Sequence, residues 1–223
     1  MVAGMAARRL DMAERLGRSA FELFAREGLE GANLDEIAAH AGVTKGSLYW
    51  HYGSRQELVL AACNHYYRRW QGQVHAALAP LTDPMVRLRR ALDFSVRSCV
   101  ADPANRRFTT GLFALMQSDA AVRSSWSQFY DTVREFYLGL VAAAQAAGVF
   151  PPGDARPRVD LMLEAMEGLK LRAAFEPHIA DPAEQAAVAA GLLEAVVGGP
   201  WGHTRQYGRK PAAARRGGKG GGS

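Results

Sequence analysis

The stretch Asn33 to Arg55, NLDEIAAHAGVTKGSLYWHYGSR, limits what this chain can fold into more than any other part of it. Apolar positions recur at helical spacing on both sides of Ala41-Gly42-Val43, so the stretch holds two short amphipathic helices joined by a sharp turn. Neither helix is long enough to bury a core alone, and the pair needs a further helix to lie against. This pattern reads as a helix-turn-helix, a module whose second helix enters the major groove of DNA.

The preceding residues supply that support. Between residues 9 and 27, Leu10, Ala13, Leu16 or Gly17, Ala20 and Phe24 share one helical face, with Arg9, Arg15, Arg18, Glu22 and Arg26 on the other. Gly28 and Gly31 end this first helix. Asn33 and Glu36 then form a capping box, with the Asn33 side chain accepting from the Glu36 amide. Leu34, Ile37, Ala38 and Ala41 make the apolar stripe of the second helix, expected to pack on Phe21 and Phe24. Gly42 permits the reversal, Val43 plugs the turn, and the third helix starts at Thr44.

A helical wheel sorts the third helix. With Leu48 pointing to the core, Thr44, His51 and Tyr52 fall within about 60 degrees of it, Gly46 and Trp50 point outward, and Ser47 and Tyr49 flank them. Lys45 sits in the first turn, where a long side chain can swing towards a groove floor. An outward glycine costs about 1 kcal/mol relative to alanine and is useful only if another surface must come close. Two adjacent outward aromatics need a purpose as well.

From about Leu10 to Leu60 the chain resembles the N-terminal DNA-binding domain of the tetracycline-repressor (TetR) family of bacterial regulators. The resemblance is carried by the FxxxG loop region, the IAxxAGV turn, the KGSLYxHY recognition helix and the SRQEL start of the next helix. Trp50 is bulkier than the usual Tyr or His, Gly53 replaces a frequent Pro or Lys, and Arg55 replaces a typical Lys. The resemblance implies that Asn33, Thr44, Tyr49, His51 and Arg55 hold phosphates, that Lys45, Ser47 and Trp50 lie nearest base edges, and that Gly46 permits close approach. Asn33 and Thr44 are also helix caps in their own right, and His51 and Tyr52 also fit as ordinary core residues.

Ser54 and Glu57 form a second capping box and launch a fourth helix carrying Leu58, Ala61, Ala62, His65, Tyr66, Trp70 and Val74 towards about Leu78. Asp83-Pro84 opens a fifth helix to Ala101, and a sixth runs from about Pro103 to Ser118. A seventh is the most regularly amphipathic, from Val122 through Trp126, Phe129, Val133 and Tyr137 to Ala144, stopped by Gly148 and FPPGDARP. An eighth extends from about Arg158 to Phe175, and a ninth from Asp181-Pro182 to near Gly198-Gly199. The fold class is therefore all-α, with about nine helices. A helix-turn-helix domain spans 1–55, a helical ligand-binding and dimerisation domain spans 56–199, and a disordered basic tail spans 200–223.

The eighth and ninth helices are apolar on more than one face, with Val159, Met162, Met166, Leu169 and Ala173 on one side and Leu161, Leu163, Ala165 and Leu171 elsewhere. The second face predicts another subunit. The TetR resemblance implies the same, a homodimer paired through the last two helices. Residues from about 126 to 197, with MEGLKLRAAF between two helical runs, more loosely resemble the C-terminal domain of betaine-repressor-like members. The family's helical domain encloses a small-molecule cavity. Phe108, Phe113, Met116, Trp126, Phe129, Tyr130, Tyr137, Met162 and Met166 are the candidate lining here, suited to a hydrophobic effector, and each also fits as plain core.

Charge narrows the mechanism. The net charge is +5, from 27 basic and 22 acidic residues. Six of the basic residues, Arg205, Arg209, Lys210, Arg215, Arg216 and Lys219, lie in the tail, leaving 21 basic residues before it, so the body is nearly neutral. Binding to DNA must then rest on placed donors rather than on a broad basic face. No apolar run reaches the roughly 18 residues of a membrane span, and the N-terminus lacks a signal-peptide pattern, so a cytoplasmic protein without membrane contact is expected. Cys63 and Cys99 lack CxxC spacing and are expected to be reduced. GxGxxG, GxxxxGK[ST], HExxH and GxSxG are all missing, and no enzyme activity, cofactor or metal site is expected.

These features converge on a DNA-binding transcription regulator, a homodimeric repressor released from a pseudo-palindromic operator by a small hydrophobic ligand. An activator or ligand-independent regulator of the same fold is the alternative, with a helical enzyme or adaptor as the rival from another class. The tail either adds sequence-independent attraction for DNA or serves solubility alone. Operator binding by the full chain and by residues 1–199 across a salt series separates these, because an unchanged salt slope assigns the tail no part in binding.

Overall fold

The computed structural model describes residues 2–197, so the expected basic tail lies outside the described residues. These fold into nine α-helices and no strand: α1 Val2–Glu27, α2 Leu34–His40, α3 Lys45–His51, α4 Arg55–Leu78, α5 Pro84–Ser95, α6 Pro103–Met116, α7 Ala120–Ala146, α8 Arg156–Arg172 and α9 Pro182–Val197.

Most helices start where a short polar side chain can take a free amide. Thr44 Oγ1 accepts from Ser47 N at 3.2 Å, and Asp83 and Asp102 do the same for α5 and α6, each ahead of a proline that has no amide to satisfy. The Asn33 cap falls one residue earlier than the capping box predicts: Oδ1 accepts from Asp35 N at 3.0 Å, not from Glu36. At α4, Ser54 Oγ accepts from Glu57 N while Glu57 Oε2 accepts from the Gly53 amide at 2.8 Å, reaching one residue further back than in the usual box.

One continuous core runs through the described chain. It joins Leu16, Phe24, Ile37 and Leu48 to Leu58, Ala62 and Trp70 of α4, and those to Trp126, Met162 and Val196. The boundary expected at 55/56 is thus the start of α4 and not a gap in packing. α1 lies along α4, and Gly17 makes the crossing close, since a Cβ there would stand 3.0 Å from the Ala61 carbonyl oxygen. At the turn between α2 and α3, Gly42 takes φ 68°, a left-handed value costly for other residues.

Three local details differ from the periodicity. α1 begins at Val2, well before residue 9, and Leu10, expected in its buried stripe, is 72% exposed. The fifth helix does not stay α-helical to Ala101. Residues Val96–Ala101 widen into a π turn, with Asp102 N donating to Arg97 O, which lets Val96, Cys99 and Val100 all face inward. A 3-10 turn, Pro177–Ala180, separates α8 from α9, so α8 stops at Arg172 rather than Phe175.

The Gly17 crossing is testable. Gly17→Val should lower unfolding free energy by about 1 to 3 kcal/mol through overpacking. Gly72→Ala, at an exposed position of α4 with open space around it, should leave stability equal or slightly raised. Urea titrations of both variants check the contrast.

Candidate nucleic-acid interface and helical-domain core

The helix-turn-helix presents a defined outward face. Leu48 is 1% exposed and pins α3 to the core, while Tyr49 at 46% and Trp50 at 67% stand in solvent. Thr44, Lys45 and Gly46 are exposed, and Ser47 is half-buried. A Cβ on Gly46 would meet only the Thr44 hydroxyl, at 3.9 Å, so the surface there is open to an approaching backbone. The Trp50 and His51 rings meet edge to face at 4.8 Å, which braces the tryptophan in its outward position. Asn33, also exposed, caps the neighbouring helix.

Other predicted contact residues have partners within the protein. Lys45 pairs with Asp35 at 2.8 Å, and that hydrogen bond raises its pKa. Both groups are exposed, so the pair is weak and exchangeable for a phosphate or base edge. Arg55 is held more firmly. Its guanidinium donates to the Ala32 carbonyl at 2.9 Å and to that of Leu29, and lies 5.5 Å from the Phe24 ring centroid. The side chain expected on a phosphate therefore clamps the loop between α1 and α2. Tyr52, which fits as core, is half-buried and donates its hydroxyl to the Ala13 carbonyl at 3.1 Å, and burial raises its pKa. Arg15, placed on the polar side of α1 by the wheel, donates to the Ala41 carbonyl at 2.6 Å and braces the turn.

In the helical domain Phe108, Trp126, Phe129, Tyr137, Met162 and Met166 are buried, and Phe113, Met116 and Tyr130 are half-buried. Trp126 gathers several of them, meeting the rings of Phe113, Phe129 and Tyr130 within about 6 Å. Tyr66 and Tyr67 of α4 join the same cluster, Tyr67 stacking on Phe129 at 4.3 Å. Tyr137 has a structural role, its hydroxyl donating to Ser95 Oγ at 2.8 Å beside the Ala91 carbonyl.

A polar group beside this cluster escaped the sequence reading. Lys170 is 3% exposed, its ammonium 2.6 Å from Glu167 Oε1 and 5.6 Å from the Trp126 ring centroid. The Tyr130 hydroxyl donates to the same carboxylate oxygen. The signal was present in the spacing: Val159, Met162, Met166 and Lys170 continue one buried stripe on α8. The thiols are buried, and burial pushes Cys63 up to about 12 and raises Cys99, so neither is poised to react at neutral pH. Among the described residues no three of His, Cys, Asp and Glu are placed to hold a metal, and no helix is long and apolar enough to cross a membrane.

Comparisons with known proteins fall on the same regions. Residues 18–62 match the family model described as bacterial regulatory proteins, tetR family. The HTH-type transcriptional activator FasR of Mycolicibacterium smegmatis is 40% identical over 88 residues, covering 38% of this chain and 40% of that protein. The HTH-type transcriptional regulator SrpR of Pseudomonas putida is 42% identical over 55 residues, 23% of this chain and 26% of that protein. The match thus spans less than half the length of either relative. Solved structures extend the likeness to the whole fold. A transcriptional regulator from Saccharomonospora viridis in complex with choline superposes with TM-score 0.72 at 17% identity, covering 82% of this chain and 96% of that one. The regulator FadR of Bacillus subtilis in complex with stearoyl-CoA gives 0.67 at 15% identity, with 82% and 96% covered.

The placement of Arg55 separates two roles. Arg55→Ala should lower stability by about 1 to 3 kcal/mol by stranding the loop carbonyls, while the slope of log affinity against log salt stays that of the unaltered chain. A slope reduced by about one unit would instead make Arg55 a phosphate contact.

Proposed function

We propose that this chain, whose residues 18–62 carry a tetR-family DNA-binding segment, is a homodimeric, ligand-responsive transcription regulator. The observation that carries this is the outward face of α3, where Gly46, Tyr49 and Trp50 are exposed and Ser47 is half-buried, on a helix fixed by Leu48 and the Thr44 cap. Tyr49, Thr44, Asn33 and His51 set the register on phosphates, and Lys45, Ser47 and Trp50 read base edges. Arg55 acts from behind by holding the loop.

Dimerisation through the last two helices is supported by what they leave uncovered. On α8 and just beyond it, Leu161, Gly168, Leu171 and Phe175 recur at helical steps and are exposed, Phe175 at 71%. On α9 the exposed residues include Ala183, Ala187, Ala190 and Gly191, small enough for another helix to come close. An apolar stripe of this length on two neighbouring helices calls for a partner, and a second copy supplies the same stripe by two-fold symmetry. The pair would then present two α3 helices to successive major grooves, about 34 to 36 Å apart.

The effector is a small, largely apolar molecule held among Trp126, Phe129, Tyr130, Phe113 and their neighbours, where α4 lines the same cluster and leads directly to α3. The choline and stearoyl-CoA complexes of similarly folded regulators support a small-molecule ligand for this chain, and the betaine-repressor-like reading of residues 126–197 concerns the fold of that region and not its ligand. Ligand shifts the operator equilibrium only by its differential affinity for the two conformations. Repression follows if the operator overlaps the promoter. An upstream operator would make the same dimer an activator, the role named for FasR.

Selection of bound duplexes from random DNA should return a pseudo-palindrome. Tyr49→Ala should weaken binding to it at least tenfold while the dimer persists in size-exclusion chromatography. Leu171→Glu with Phe175→Glu should give a folded monomer with weakened operator binding. Full affinity of Tyr49→Ala in a gel-shift titration would contradict the docking of α3.

A further inference from the structure

We infer that the Glu167–Lys170 pair anchors the head group of the effector, and that this head group is neutral and both donates and accepts a hydrogen bond: a hydroxyl or primary amide on an apolar body. The inference rests on the ligand-responsive function proposed above and names the ligand class for its helical domain.

The two groups offer complementary, unused valences. The Lys170 ammonium has three N–H donors, and among the described residues one goes to Glu167 Oε1 at 2.6 Å while the charge lies 5.6 Å from the Trp126 ring centroid. Glu167 Oε1 also receives the Tyr130 hydroxyl. Glu167 Oε2 is buried with no hydrogen-bond partner, which costs free energy until a donor reaches it. A hydroxyl oxygen beside the pair can accept from Lys170 Nζ and donate its proton to Glu167 Oε2, meeting both needs at one point.

Charge decides against ionic head groups. Lys170 and Glu167 neutralise each other, so a carboxylate would face Glu167 and an ammonium would face Lys170, each adding an uncompensated charge to a largely buried site. The surroundings suit an apolar body, with the Trp126 ring meeting those of Phe113 and Tyr130. The pair also lies near an edge of the domain. Lys170 is only 4% exposed at its side chain, but Glu167 is 20% exposed and Tyr130 is half-buried, so a head group reaches the pair from the Glu167 side.

The test uses the full chain and four probes of similar length, 1-octanol, its isomer 1-methoxyheptane, which accepts a hydrogen bond but donates none, octanoate and octylammonium, by isothermal titration calorimetry below their aggregation limits. Octanol should bind at least tenfold more tightly than the ether and than either ion. In the double variant Glu167→Leu with Lys170→Met, which removes both charges together and keeps the site apolar, the preference for octanol over the ether should vanish, with the circular dichroism spectrum unchanged, while both ions stay weak because any apolar site rejects an unpaired charge. Equal binding of octanol and the ether, preference for an ion, no binding, or a preference for octanol over the ether surviving in the folded double variant would each overturn the anchor. The ranking of octanol against the ether in the unaltered chain decides the matter even if the double variant does not fold. A gel shift on the same preparations tells the two ideas apart. Intact operator binding without octanol preference overturns only the anchor, whereas octanol preference without operator binding overturns the regulator and leaves the anchor.

Discussion

The close crossing of α1 and α4 is the contact on which the rest of the molecule depends. With no side chain at Gly17, α1 settles against Ala61, and Phe21 and Phe24 then reach the buried face that Leu58 and Ala62 present. Only after that packing is made do the two seven-residue helices have a surface to rest on, since helices so short gain little stability from their own hydrogen bonds. The same α4 carries Tyr66, Tyr67 and Trp70 into the aromatic cluster of the helical domain. The proposed reading head and the proposed effector site therefore share one rigid element.

Two further contacts reinforce that sharing. Gln56, in the first turn of α4, donates to Asp119 at the start of α7 at 2.8 Å, and this helps hold the Asp119 carboxyl below its ordinary pKa, together with the Val122 amide that contributes most. Leu29, in the loop clamped by Arg55, packs over Gly111 of α6. A shift of α7 would thus reach the base of the helix-turn-helix through the first turn of α4, and a shift of α6 would reach it through Leu29 without passing along α4. Coupling of this kind needs two discrete packings of shared elements and no long-range force.

Much of the fold was legible because its signals are local. Thr44, Ser54, Asp83 and Asp102 announce helix starts, Gly42 announces a reversal, and the stripe from Val122 to Ala144 announces a long buried helix. What escaped depends on distant partners. Nothing near Arg55 in sequence tells that its guanidinium turns back to Leu29 and Ala32, and nothing near Leu10 tells that it stands exposed. The π turn is invisible to a 3.6-residue period because it changes the period itself. Lys170 stood in an apolar stripe in plain view, yet a lysine there reads as solvated until the carboxylate and the ring that receive it are placed.

The outward face of α3 has a consequence for how such a protein can change over time. Of the residues from Lys45 to Trp50, Leu48 alone is buried, while Tyr49 and Trp50 stand in solvent. Substitutions at the outward positions therefore draw little on the modest free energy that keeps the chain folded. On the proposed function, preference for one DNA sequence over another can drift there almost independently of fold, with the core acting as a fixed mount for an exchangeable set of teeth.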